Sequence, residues 1–196
     1  PSAAKARAVL DSMIQALGGE RWLNLQNRYV EGRIAAFYKG KPTGATVRYW
    51  QWDTPTASRI DLAEGKKDKH TWTQVFTGRQ CWEITFRGKN PIAKEQCDAA
   101  NRSRDHSIET AVRVWMKDPS TILMYEGQSL AGRHLAQQVT LLNAENDSIT
   151  IEVDAETHLP LRRSWSWRDP VYKDKNEDAE EYDDYHLIDG LQPRFT

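Results

Sequence analysis

The hydrophobic positions divide the chain into a helical start and a long series of strands. Ala6, Val9, Leu10, Met13, Ile14 and Leu17 recur at spacings of three and four before Gly18-Gly19. This pattern predicts an amphipathic helix from Ala3 to Leu17. Period-two alternation then predicts strands at about 28–38, 46–52, 58–63, 70–77 and 81–86. Their short connections, with turns at 40–44, 64–67 and 77–79, indicate an antiparallel meander.

The second half has one further helix and more strands. The segment 91–104 is polar and irregular, after which Ile108, Ala111, Val112 and Trp115 predict a helix over about Asp105 to Lys117. Strands follow at about 122–125, 134–142, 148–153, 159–167 and 180–188. Because strands and helices do not alternate regularly, we expect an α+β fold with a large twisted antiparallel sheet and helices on one face. The length of 196 residues predicts a single domain.

The eight tryptophans are the main candidate for function. Residues two apart on a strand share a face, so Trp165 and Trp167 lie together, as do Trp50 and Trp52. Further same-face sets are Trp72 with Phe76, and Trp82 with Ile84 and Phe86. Two interpretations stay open: the rings form an ordinary core against the helices, or they line a cavity for an apolar ligand. We expect Trp22 and Trp115, which lie in helical segments, in the core.

Charged residues narrow the range of partners. With 27 basic and 28 acidic residues, the chain has no basic excess for a nucleic-acid partner. No apolar run reaches 18 residues and the mean hydropathy is −0.75, so we expect a soluble chain that does not span a membrane. The acidic run Lys173 to Asp184 predicts a solvated loop between two strands. Arg163 shares a face with Trp165, and it either stacks on an indole or meets an anionic headgroup.

Residues with catalytic or metal-binding chemistry form no recognised pattern. The five histidines lack metal-ligand spacing, and Asp105-His106-Ser107 cannot form one relay because adjacent helical residues point about 100° apart. Nucleotide-binding and hydrolase fingerprints are absent from the sequence. We therefore expect no catalytic residues, no metal and no cofactor. Cys81 and Cys97 are either two buried thiols or a disulfide, whose loop of about 15 residues would add roughly 3 kcal/mol in an oxidising compartment.

Two motifs near the C-terminus point to a family. They are D-x-x-T-x-L-P at Asp154 to Pro160 and Y-x-x-Y-x-x-x-D-G at Tyr182 to Gly190, followed by Pro193. Together with the order of elements, they resemble the LolA-like superfamily, in particular the outer-membrane lipoprotein-sorting proteins. The resemblance implies an incomplete β-barrel wrapped over helices, with an apolar cavity for acyl chains. Relatives usually continue past the D-G segment, so the resemblance implies a domain over 1–196 that is shorter or lacks its last strands.

The resemblance also implies a role. We expect an exported, periplasmic binding protein that sequesters the acyl part of a lipid or lipoprotein, with the two predicted helices as lid and floor. The alternative is a protein-interaction or sensor module, or a subunit of an envelope assembly, with the same fold. The expected ligand residues are Trp50, Trp52, Trp72, Trp82, Trp165, Trp167 and Arg163, and the expected disulfide is Cys81–Cys97. Arg33 and Arg48 are candidates for the ligand-gating arginine of such carriers.

Overall fold

The computed structural model describes residues 2–44, 46–64, 72–188 and 190–191. Its helices are α1 (Ser2–Leu17), α2 (Gly19–Leu23), α3 (Lys94–Asp105) and α4 (Ile108–Arg113), followed by a 3-10 turn at Trp115–Lys117. Its strands are β1 (Arg28–Ile34), β2 (Phe37–Tyr38), β3 (Lys41–Pro42), β4 (Val47–Asp53), β5 (Ala57–Glu64), β6 (Trp72–Thr77), β7 (Gln80–Thr85), β8 (Gly88–Pro91), β9 (Ile122–Ala131), β10 (His134–Leu142), β11 (Ser148–Asp154), β12 (Pro160–Arg168) and β13 (Lys175–Glu181).

The chain divides into two compact units. The first unit comprises Pro1–Asn24 and Ser103–Thr196, and the second unit comprises Leu25–Arg102. Each unit has its own antiparallel sheet: five strands in the order β13-β12-β11-β10-β9 in the first, and six in the order β1-β4-β5-β6-β7-β8 in the second. Within the described residues both sheets keep two edge strands. Antiparallel sheets with few helices confirm the predicted α+β class.

The first unit has a dense apolar core between helices and sheet. The spacing of its apolar residues gives α1 one buried face, which packs on β9 and β10. Leu10 and Met13 of α1, with Ile149 and Ile151 of β11, are fully buried in this core. Burying each such side chain contributes about 1.5–3 kcal/mol. Trp22 and Trp115 also lie in this core, as the sequence predicted.

The sheet face that the helices cover becomes ionic toward the β13 edge of the sheet. Ile151 pairs across strands with Arg163, and Arg163 pairs with Glu180, so the covered face runs from apolar to ionic. The opposite face carries a polar ladder, in which the half-buried Arg162 contacts the buried Glu152 at 3.3 Å and the exposed Glu177 at 3.4 Å. Trp165 therefore belongs to the face that the helices cover.

The second unit is a meander with one hairpin inserted. β2 and β3 form this hairpin between β1 and β4, and its turn residues Lys39 and Gly40 have φ values of 49° and 74°. Positive φ at both positions is what a two-residue type I′ turn requires. At the other end of the unit a disulfide joins Cys81 of β7 to Cys97 of α3, with 5.6 Å between the Cα atoms. Asn101 of α3 donates a hydrogen bond to the Arg79 carbonyl at 3.2 Å.

Several predicted elements differ from the structure. The segment 91–104, which was expected to be irregular, contains helix α3 from Lys94 onward. The helix predicted over about 105–117 is shorter in the structure: it is α4, followed by the 3-10 turn. The predicted strand 180–188 is wrong: the last strand among the described residues is β13, inside the acidic run that was expected to be a loop. The predicted turn at 64–67, the strand start at His70, and Asp189 and Pro193 of the family motif lie outside the described residues.

None of the described helices combines the length and the apolar character needed to cross a membrane.

Candidate functional site

The six-stranded sheet presents a row of aromatic side chains on one face. Trp52 lies opposite Tyr29 on one side and Arg59 on the other, and the row continues through Val75 and Trp82. Side chains directly opposite each other share a face and are about 5 Å apart. Trp50 and Ile84 join the same face by strand alternation. We call this surface the aromatic face; it consists of Tyr29, Trp50, Trp52, Trp82 and Ile84.

The aromatic face is partly open to solvent. Tyr29, Trp52 and Ile84 are 53%, 42% and 40% exposed, while Trp50 and Trp82 are half-buried. The rings of Tyr29 and Trp52 lie 5.3 Å apart between centroids. Arg59 and Asp61 of β5 and Thr73 and Val75 of β6 lie between the rings of β1 and β4 and those of β7. Exposed apolar side chains gathered on one sheet face mark ligand or partner sites more often than ordinary surface.

Cations lie over three of these rings. The Arg48 guanidinium is 5.1 Å from the Trp50 ring centroid, and that of Arg59 is 5.7 Å from Trp52. The Lys89 ammonium is 4.2 Å from the Trp82 centroid. Cation–π attraction of this type contributes about 0.5–1 kcal/mol at exposed sites. An exposed carboxylate shares the face, because Glu31 lies opposite Trp50 and accepts a hydrogen bond from the Tyr29 hydroxyl at 3.1 Å. The face therefore combines flat rings with charged side chains of both signs.

A buried carboxylate positions one of these cations. Asp61, which is buried, lies opposite Trp50 and Thr73 on the aromatic face. Arg59 donates to its two oxygens at 2.9 and 3.0 Å, and the Thr73 hydroxyl donates at 2.8 Å. The hydrogen bond to Asp61 raises the pKa of Arg59, so Arg59 keeps its positive charge.

The sequence prediction did not include Tyr29 or Asp61. Asp61 follows Arg59 by two residues on one strand, and this alternation is the signal that places the two side chains on the same face.

Register separates Trp72 from the other predicted ligand residues of this unit. Trp72 lies opposite Leu62, which lies opposite Tyr49, and all three belong to the reverse face of the sheet. Trp72 therefore cannot line the surface that Trp50, Trp52 and Trp82 share. The two candidates for a ligand-gating arginine, Arg33 and Arg48, lie directly opposite each other on the side of the sheet that carries the aromatic face.

Trp165 and Trp167 belong to the first unit and its covered sheet face. Trp165 is buried, and the His106 ring stacks on it with 5.4 Å between centroids and 9° between planes. His106 also meets Trp115 edge-on and bonds to Asp147 at 2.9 Å. Trp167 is half-buried. These contacts make Trp165 part of a packed polar-aromatic cluster.

Arg163 is held by neighbouring groups of the first unit. Its guanidinium stacks over Trp165 at 4.8 Å, which is one of the two roles expected from the sequence. Its N–H groups donate twice to Glu180, twice to Ser103 and once to the His106 carbonyl. A guanidinium has five N–H donors, so none is left for an anionic headgroup.

The hydrolase-type residues Asp105-His106-Ser107 take separate partners. His106 bonds to Asp147, whereas the Ser107 hydroxyl caps α4 by accepting from the Thr110 amide at 3.0 Å. Within the described ranges, no group of three His, Cys, Asp or Glu side chains is arranged to hold a metal ion.

The comparison with solved structures identifies the fold. A DUF1329 family protein from Desulfovibrio piger matches over 95% of this chain and 82% of its own, with a TM-score of 0.56 and 13% identity. A LolA superfamily protein from Nitrosomonas europaea matches over 99% and 83%, with a TM-score of 0.54 and 10% identity. This chain has the LolA-like fold. Comparisons with protein-family models and with curated sequences found no match.

The turn that carries the LolA-like motif is built around Asp154. Its buried carboxylate accepts hydrogen bonds from the Glu156 and Thr157 amides, both at 2.8 Å, and pairs with His134 at 2.9 Å. Burial raises the pKa of Asp154, but these hydrogen bonds and the charge of His134 outweigh it and lower the pKa below its usual value. An open groove of about 300 Å³ lies beside this turn and is lined by Arg133, His134, Leu135, Asp154, Ala155 and Glu156.

The second motif is tied to the first. The Tyr185 hydroxyl donates to the Pro160 carbonyl at 2.5 Å, and Tyr182 is buried in the first unit's core. Both motifs therefore stabilise the fold, and the LolA-like signature of this sequence is structural.

Proposed function

We propose that this chain is a noncatalytic binding protein of the cell envelope that takes the acyl part of a lipid or lipoprotein on its aromatic face. The observation that carries the proposal is the exposure of Tyr29, Trp52 and Ile84 beside the half-buried Trp50 and Trp82. Amphipathic rings suit this task because they tolerate water when the site is empty. The disulfide Cys81–Cys97 supports an exported, oxidising location.

The expected affinity is that of a reversible complex. Each buried methylene contributes about 0.8 kcal/mol, so about eight methylenes on the aromatic face give roughly 6 kcal/mol before the costs of association. A carrier needs binding of this modest strength, because it must also release its ligand.

Helix α1 is not retained as a lid in this proposal. Its side chains Val9, Leu10, Met13, Ile14 and Leu17 are buried in the first unit's core. At about 1.5–3 kcal/mol for each side chain, lifting α1 would cost as much as a typical domain's whole stability. Binding is therefore assigned to the sheet face and not to a cavity under α1.

The second candidate function is a protein-interaction module. The aromatic face carries Trp, Tyr and stacked Arg side chains, which are the residue types enriched at the centres of protein interfaces. This alternative predicts a purified protein without bound lipid.

Native mass spectrometry and lipid extraction of the purified protein test the proposal. We expect a lipid adduct that denaturation releases, together with saturable uptake of a fluorescent fatty acid. A protein with no adduct and no uptake contradicts acyl binding and favours the interaction module.

A further inference from the structure

One end of the six-stranded sheet carries exposed aromatic side chains on two connections. Neighbouring strands are antiparallel, so the β1–β4 and β7–β8 connections leave the sheet at the same end. Phe37 and Tyr38 on the first are 65% and 66% exposed, and Phe86 on the second is 90% exposed. We call residues 34–41 and 86–89 the loop end.

Positive charge accompanies these rings. The first stretch of the loop end, 34–41, holds Lys39 and Lys41 and no acidic residue. The second stretch, 86–89, holds Arg87 and Lys89 and again no acidic residue. The whole chain has a net charge of −1, so the loop end is a local basic region and does not reflect the composition.

Rings and cations are also adjacent in space. The Lys39 ammonium is 5.4 Å from the Tyr38 ring centroid, and the Arg87 guanidinium is 5.2 Å from that of Phe86. The turns at the opposite end of the sheet differ: Thr54-Pro55-Thr56 joins β4 to β5 and Gly78-Arg79 joins β6 to β7, without an aromatic residue.

We propose that the loop end docks on an anionic lipid bilayer. Aromatic rings partition to the boundary between headgroups and acyl chains, while Lys and Arg side chains extend toward anionic headgroups. Each cation near such a surface strengthens binding about fivefold. The proposal goes beyond acyl binding on the aromatic face, and its test needs no acyl ligand.

Vesicle flotation tests this docking. The intact chain should float with phosphatidylcholine vesicles that contain phosphatidylglycerol, and it should stay behind with phosphatidylcholine alone. About 0.5 M salt should abolish flotation, because the Debye length falls to a few ångströms. The double variant Lys39→Gln/Lys41→Gln should lower the partition coefficient about 25-fold. Phe37→Ser/Tyr38→Ser should also lower the partition coefficient, but the salt dependence of flotation should stay that of the unmodified chain.

The matched control is Val171→Ser/Tyr172→Ser. These two side chains are similarly exposed beside Lys173 in the first unit, so the control should float like the unmodified chain. Failure of the unmodified chain to float with phosphatidylglycerol, or equal flotation of the Lys39→Gln/Lys41→Gln variant, overturns the proposal. Circular dichroism checks that each variant is folded. If a variant does not fold, the dependence of the unmodified chain's flotation on lipid composition and salt decides whether the loop end docks on the bilayer. Fatty-acid uptake should be unchanged in all these variants, so the two proposals fail separately.

Discussion

The guanidinium of Arg163 lies 4.8 Å from the ring centroid of Trp165, and both side chains are almost fully buried. The stack places an ion between the helices and the sheet of the first unit. Its charge is balanced by Glu180, directly across the strand pair, and its remaining donors satisfy Ser103 and the His106 carbonyl. The W-x-W strand at Trp165 is thus part of the scaffold.

Replacing Arg163 should destabilise the chain strongly. Arg163→Met removes five hydrogen bonds and leaves Glu180 and two backbone carbonyls without their donor, which should cost about 3 kcal/mol. Urea denaturation measures this loss. Arg7→Met is the control, because Arg7 pairs with Asp11 at 3.2 Å on the exposed side of α1 and an exposed ion pair contributes at most about 1 kcal/mol. Equal losses in the two variants would show that Arg163 has no special role.

Breaking the disulfide should lower the stability of the second unit. The bond closes a loop with a sequence separation of 16. Cys97→Ser should therefore reduce the free energy of unfolding by about 3 kcal/mol in the chain-entropy model. Thermal melts with and without a thiol reductant measure the effect, and a Cys81→Ser/Cys97→Ser variant should be insensitive to the reductant. Two titratable thiols in the unreduced protein would contradict the assignment.

Asp154 should make the stability depend on pH in the acidic range. Its pKa is lowered in the folded chain, so its stabilisation is complete above the unfolded value of about 3.9 and is lost as the pH falls through the folded value. Asp154→Asn should be less stable than the unmodified chain at neutral pH, and the difference should shrink on acidification. Urea melts across this range measure it, with the exposed Glu156→Gln as control. A difference that grows toward low pH would refute the assignment.

Hydrophobic periodicity was sufficient to predict α1 and most strands, but not α3 or β13. The α3 sequence is polar and has no apolar stripe; the disulfide at Cys97 and the hydrogen bond of Asn101 hold it in place. The acidic β13 looks like a loop in the sequence because its residue types are rare in strands. In the structure Glu180 and Glu181 lie opposite Arg163 and Arg162, so cross-strand charge pairs stabilise the strand.

The candidate site shows a similar division. Alternation correctly predicted that Trp50 and Trp52 share a face, because that depends on one strand alone. Alternation gave no information on which side chains of different strands lie on the same face of the sheet, because this depends on the register between the strands. Register brings Trp82 to the face of Trp52 and sends Trp72 to the reverse face. The same limit explains why Trp165 was expected beside a ligand although helices cover its face.

Titration of a fluorescent fatty acid into two tryptophan variants tests the central claim most directly. Trp50→Ala/Trp52→Ala removes two of the five side chains of the aromatic face, and Trp72→Ala removes one indole from the reverse face of the same sheet. Truncating a residue that dominates a binding site costs about 2 kcal/mol or more, so the double variant should bind at least about 30-fold more weakly than the unmodified chain. Trp72→Ala should keep nearly the unmodified affinity. Equal losses in both variants, or undiminished binding by Trp50→Ala/Trp52→Ala, would contradict acyl binding on the aromatic face.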